Sequence, residues 1–200
     1  MTTREEWFEI RVKISHLPPQ TRSTRRFGTW ERRPELVAVE EACQAFADRQ
    51  APHHFLTLSG ITGTGKTHLA MSIGWNWLEE DRGPCCYWRV PLLLDFLKSG
   101  FSSYHEERWE SETWKEIQFM TKCPLLVLDD IGSQKETDWS WEQIDTIIDA
   151  RYVAGLPLVA TMNVSGTDLP QRIYDRLREG QVFILDAPSY RGLKGIGVME

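Results

Sequence analysis

Residues 58–70 read LSGITGTGKTHLA: Gly60, Gly63 and Gly65 fall within six residues, Lys66 and Thr67 follow at once, and apolar side chains flank the whole. Glycines so close together mark backbone that something must approach closely, and the lysine marks that something as negative. GITGTGKT at 60–67 fits G-x-x-x-x-G-K-[ST], a loop whose N–H groups turn inward around phosphates. Before it, HFLTLSG (54–60) reads as a buried strand; after it, a helix is expected over 65–80. A strand, a glycine loop and a helix in that order make a phosphate cradle, and the helix N-terminus adds partial positive charge. The nucleotide-contacting run is then Gly60, Ile61, Thr62, Gly63, Thr64, Gly65, Lys66, Thr67 and His68. Lys66 would reach the β and γ phosphates, and the Thr67 hydroxyl would bind Mg²⁺.

Outward from the loop the same alternation continues. CCYWRV (85–90), PLLVLDD (124–130), PLVATMN (157–163) and QVFILDA (181–187) read as short, continuously apolar strands. Helical text fills 34–49, 92–120 with a break at SGFSS, 141–155 and 167–180. Short buried strands separated by helices predict an α/β fold with a five-stranded, mainly parallel sheet covered on both faces. Residues 1–33 are polar and arginine-rich, with two prolines in LPPQTRSTRRFG, and read as an arm or wrap-around segment, a candidate for partner docking, ahead of the phosphate-binding domain over 34–200.

The 200 residues, 41% of them hydrophobic, suffice for one well-cored domain. A net charge of −6 argues against a general nucleic-acid coat while leaving room for a local basic groove. Cys43, Cys85, Cys86 and Cys123 show no C-x-x-C spacing and no histidine pattern of a metal cage, so reduced, buried thiols are expected. No apolar run spans a membrane, and MTTREEWFEI lacks the apolar core of a signal peptide, which predicts a cytoplasmic protein. Most of the nine tryptophans are expected in the core, whereas Trp7 and Phe8 on the arm could anchor a partner. His53, His54 and His68 have no companion set for catalysis or metal binding.

LLVLDD places Asp129 and Asp130 at the carboxyl end of an apolar strand, where ligands gather in open α/β sheets. Asp129 suits a metal site and Asp130 suits activation of an attacking water. ATMN ends the fourth strand at Asn163, whose amide could orient that water if the third and fourth strands are neighbours. Arg172, Arg176 and Arg178 recur at helical spacing, either as a solvated basic face or as a source of an arginine finger for a neighbouring subunit.

Taken in order, these pieces resemble the DnaC/IstB group of AAA+ ATPases, the helicase loaders and transposase helpers. The resemblance runs from LPPQTRSTRRFGTW to PSYRG, with GITGTGKTHLA as Walker A, LLVLDDIG as Walker B, IIDARYVAGLPLVATMN leading to sensor 1, and RIYDRLREG as the box VII helix. It implies an AAA+ core without a separate helical lid, binding ATP and Mg²⁺ through Lys66, Thr67 and Asp129. Asp130 would activate water, standing where many AAA+ proteins carry glutamate. Asn163 would be sensor 1, Arg176 the finger completing a neighbour's site in an ATP-bridged oligomer, and Arg191 a sensor-2-like contact. Lys98, Phe101 and Tyr104 would contact single-stranded DNA. The client implied is a replicative helicase, or alternatively a transposase; a slow-hydrolysing ATP-gated adaptor and a small-molecule P-loop kinase are the other readings.

Overall fold

The computed structural model describes residues 3–101, 112–135, 137–163 and 169–190. Its centre is a five-stranded, all-parallel sheet of β1 (Phe55–Ser59), β2 (Cys85–Arg89), β3 (Leu125–Ile131), β4 (Leu158–Met162) and β5 (Gln181–Ile184). The spatial order is β2-β3-β4-β1-β5. Register is continuous from Cys85 opposite Leu125 to Arg89 opposite Asp129, and from Phe55 opposite Leu158 to Ser59 opposite Met162. β1, which feeds the glycine loop, thus lies between β4 and β5, and β3 lies beside β4.

The pleat sends successive side chains to opposite faces and so builds two cores. On one face Leu56, Leu58, Cys85, Tyr87, Leu125, Val127 and Val159 pack under α2 (Val37–Ala47) and α3 (Lys66–Glu79). On the other, Cys86, Leu126, Leu128, Leu158 and Ala160 pack under α4 (Val90–Phe101), α5 (Glu112–Lys122), α6 (Asp138–Ala154) and α7 (Gln171–Glu179). Trp75 and Trp77 are fully buried, all four cysteines are free and buried, and Trp7 is 53% exposed. No helix among the described residues is long and apolar enough to cross a membrane.

Two elements depart from the sequence expectation. The arm opens with a helix, α1 (Arg4–Ile14), started by a capping box in which the Thr3 hydroxyl accepts the Glu6 N–H at 3.2 Å and Glu6 accepts the Thr3 N–H at 2.6 Å. Past this helix the arm wraps onto the core, the wrap-around alternative of its sequence: Leu17 and Trp30 are buried, Phe8 and Val12 pack against the same core cluster, and Thr21 accepts the Trp75 indole N–H at 3.0 Å. Arg22 and Arg26 both pair with Glu79 at the end of α3. The helix expected to open at Trp141 starts instead at Asp138, because Thr137 caps it by accepting the Ser140 N–H at 3.1 Å.

One buried charge ties the layers together. Arg151 on α6 has no exposed surface and donates to Met120 O at 2.6 Å, Cys123 O at 2.9 Å and Pro157 O at 2.6 Å. Its guanidinium joins the end of α5 to the approaches of β3 and β4.

Candidate nucleotide site

The loop between β1 and α3 delivers Lys66 as the first residue of the helix, with Gly65 at φ +97° in front of it. Gly63 has φ +90°, and both values lie where L side chains are strained. Space is closed as well as conformation: a Cβ on Gly65 would lie 2.3 Å from the Trp30 ring, and one on Gly63 would lie 1.9 Å from Ser189 Oγ. The close approach expected at these glycines is made here by the protein's own side chains. The Tyr190 N–H donates to Gly63 O at 2.9 Å, its hydroxyl donates to Glu31 O at 2.7 Å, and the Arg33 guanidinium sits 3.5 Å over its ring. The segments before α2 and after β5 therefore meet across the loop.

Lys66 is nearly buried and donates from Nζ to Gly60 O at 2.7 Å and Ile61 O at 2.8 Å. The Thr67 hydroxyl donates to Asp129 Oδ1 at 2.9 Å and Oδ2 at 3.1 Å. Asp129, 1% exposed, also accepts from the Tyr87 hydroxyl at 2.8 Å and the Thr161 hydroxyl at 2.7 Å. Burial and the Asp129 charge push the Tyr87 phenol above its ordinary value, which keeps it a proton donor to that carboxylate. Thr67 and Asp129 together present only oxygen ligands, the donor chemistry that suits Mg²⁺.

Asp130 stands at a break in the β3–β4 register, where Leu128 lies opposite Ala160 but Ile131 opposite Met162, and it adopts φ +70°. Its N–H leaves the ladder and donates to Thr161 Oγ1 at 2.9 Å. Its carboxylate accepts from Asn163 Nδ2 at 2.5 Å and faces the Arg89 guanidinium at 3.4 Å. The neighbouring strands required for an Asn163–Asp130 contact are thus present.

These groups border one cleft of about 980 Å³, lined by Lys66, Thr67, Asp129, Asp130 and Asn163. Arg25, Trp30 and His68 line it too. Arg25 donates to His68 Nδ1 at 3.3 Å while His68 Nε2 donates to Arg26 O at 2.9 Å, and burial holds the imidazole below its ordinary value, in the neutral form that this pairing needs.

Other expected site residues stand apart. Arg176 on α7 is bound within the chain, to Asp145 at 3.4 Å and to Asp149, with Arg172 bridging the same two carboxylates at 3.3 and 3.2 Å. Lys98 on α4 lies 5.3 Å from the Trp139 ring centroid. Tyr104, Arg191 and the side chain of Phe101 lie outside the described residues. Tyr87, Arg89, Thr161, Arg25 and Trp30 enter the site without having been singled out in the sequence. The alternation of β2 would have marked Tyr87 only once β2 was known to lie beside β3.

In its parallel five-stranded sheet between helices the fold matches that of the AAA+ P-loop domains of DnaA and DnaC. No family model matches the chain. It is similar to the replicative helicase loader DnaC of Buchnera aphidicola subsp. Baizongia pistaciae, 28% identical over 149 residues covering 72% of this chain and 57% of the relative. It is likewise similar to a putative ATP-binding protein in an insertion sequence of Mycobacterium tuberculosis, 26% identical over 151 residues, 70% of this chain and 57% of the relative. The crystal structure of the DnaC helicase loader superposes with a TM-score of 0.69 at 22% identity, over 82% of this chain and 98% of that one. The resemblance to the DnaC/IstB group read from the motifs is thus found in both of its branches. The chain spans about half the length of the curated relatives it matches.

Proposed function

We propose that this chain is an ATP-hydrolysing loader of DNA replication that binds single-stranded DNA and delivers a replicative helicase. The observation that carries the reading is the convergence of Lys66, Thr67, Asp129, Asp130 and Asn163 on one cleft at the carboxyl ends of adjacent strands. Similarity to relatives named as helicase loaders supports the client.

In this reading the loop amides and Lys66 hold the β and γ phosphates, with Lys66 leaving the Gly60 and Ile61 carbonyls to do so. Thr67 and Asp129 hold Mg²⁺, which when bound neutralises phosphate charge. Tyr87 and Thr161 fix the Asp129 carboxylate, Asn163 orients the water and Asp130 takes its proton. Arg176 reaches a neighbouring subunit's nucleotide in an ATP-bridged oligomer after exchanging its Asp145 and Asp149 partners. Arg191 contacts nucleotide in cis, and Lys98, Phe101 and Tyr104 contact the DNA. Residues 1–33 serve as the docking arm on the ATPase domain over 34–200, and the place of action is the cytoplasm.

Asp130→Asn is expected to retain nucleotide binding and to lower turnover by roughly a hundredfold, read by calorimetry and by single-turnover phosphate release. Unchanged turnover would remove Asp130 from the chemistry and leave an adaptor. Arg176→Ala is expected to lose turnover in the same assay and to regain it when mixed with Lys66→Ala subunits; no recovery excludes a role across the interface. The client is tested by incubating the protein with the replicative helicase of the same cell and circular single-stranded DNA. ATP-dependent transfer of helicase to the circle is expected, and no transfer or association would overturn the loader reading.

The insertion-sequence relative favours a transposase as the second reading. ATP-dependent capture of the transposase in place of the helicase would select it.

A further inference from the structure

Away from the cleft, three metal-ligating side chains from distant parts of the chain meet beside the α4–α5 face of the sheet. His16 follows α1, Cys86 lies on β2 and Glu116 on α5, and their donor atoms lie within 4.8 Å of one another. Glu116 Oε1 is the hub: His16 Nε2 stands 3.1 Å from it and Cys86 Sγ 3.5 Å. The Trp88 indole N–H donates to the same oxygen at 2.8 Å, and the Trp88 and His16 ring centroids lie 4.6 Å apart. Cys86 is fully buried whereas the His16 side chain is 38% exposed, so the cluster opens to solvent on the imidazole side. Burial opposes ionisation of Glu116, yet the hydrogen bonds from His16 and Trp88 hold its carboxyl below the ordinary range.

We propose that His16, Cys86 and Glu116 form a binding site for a borderline-soft divalent metal, Zn²⁺ foremost. Typical Zn–S, Zn–N and Zn–O bonds place the ligands of a tetrahedral ion roughly 3–4 Å apart, and the two distances to Glu116 fall in that interval. One thiolate and one carboxylate balance the dication, and the imidazole adds a neutral ligand. The metal takes the place of the two hydrogens that now bridge Cys86 and His16 to Oε1. The thiol proton goes to water, the imidazole proton moves to Nδ1, and the fourth position is left to water. Trp88 is the outer partner that aims the carboxylate. Mixed sulfur, nitrogen and oxygen ligands discriminate against Mg²⁺, so this site and the Thr67–Asp129 pair select different ions. Occupancy would fasten the segment after α1 to α5, 100 residues away in sequence.

The test is a Co²⁺ titration of the full chain after removal of metal with a chelator. A thiolate-to-cobalt charge-transfer band and the visible bands of a tetrahedral ion are expected at one equivalent, abolished by Zn²⁺ and unaffected by Mg²⁺. Cys86→Ser removes the charge-transfer band, and Trp88→Phe, with all three ligands intact, weakens binding by roughly ten- to a hundredfold. Cys43→Ser, in the core on the other face, leaves the spectrum unchanged. Absence of the thiolate band on folded protein, or its survival in Cys86→Ser, overturns the proposal. Should Cys86→Ser not fold, Glu116→Gln and Trp88→Phe decide, and unchanged affinity in both overturns it.

Discussion

Lys66→Ala is expected to abolish Mg-ATP binding at concentrations that saturate the parent and to lower turnover by roughly a thousandfold. The side chain lies nearly buried at the head of α3, where two loop carbonyls hold it in the cleft until the phosphates take their place. Removing a nearly buried cation from beside the terminal phosphates costs far more than removing a solvated one, because charges interact more strongly where little water screens them. The fold itself should survive, since the glycine conformations and α3 do not depend on the ammonium. Calorimetry with ATP and Mg²⁺, paired with circular dichroism, checks this. Normal heat and turnover would refute the placement of the phosphates.

A second large effect is expected for stability. Arg151→Ala would strip the guanidinium from Met120 O and Cys123 O in a dry interior, leave Pro157 O with the Leu126 N–H at 3.2 Å alone, and open a cavity beside Cys123. Each buried carbonyl left bare costs about 1–3 kcal/mol, so a loss of about 3–5 kcal/mol is expected, allowing for partial relaxation. For a chain of this size that is on the order of a 10 °C fall in melting temperature. Arg151→Lys should recover only part of it, because one ammonium cannot span three acceptors served by a planar fork. Thermal denaturation followed by circular dichroism measures both; a shift within a degree or two would show that the carbonyls find other donors.

The element pattern was legible because parallel strands buried on both faces are continuously apolar and the glycine loop punctuates them. Asp129, Asp130 and Asn163 could be placed near Lys66 for the same reason: each closes such a run. Strand order was not legible, and with it went Tyr87, Arg89 and Thr161, whose contacts to the two aspartates exist only because β2 and β4 flank β3. Helix α1 was missed because its charged text hides a Thr3–Glu6 capping box and because its support comes from packing on α3. Arg151 looks like one more charge on a helix, and nothing local announces three carbonyls converging on it. His16 and Glu116 lie too far apart in sequence for any spacing rule to join them.

The left-handed backbone at Asp130 bears on which residue that position can hold. Aspartate, asparagine and glycine enter φ near +70° at little cost, while longer or branched side chains do so reluctantly. A glutamate introduced to imitate the longer acid of many AAA+ proteins would add strain at this backbone, and any relief by straightening β3 would withdraw the peptide from Thr161 and turn the acid away from Asn163. Lengthening this side chain would therefore slow the reaction by deforming its frame, and a short acid is the one this strand end accommodates.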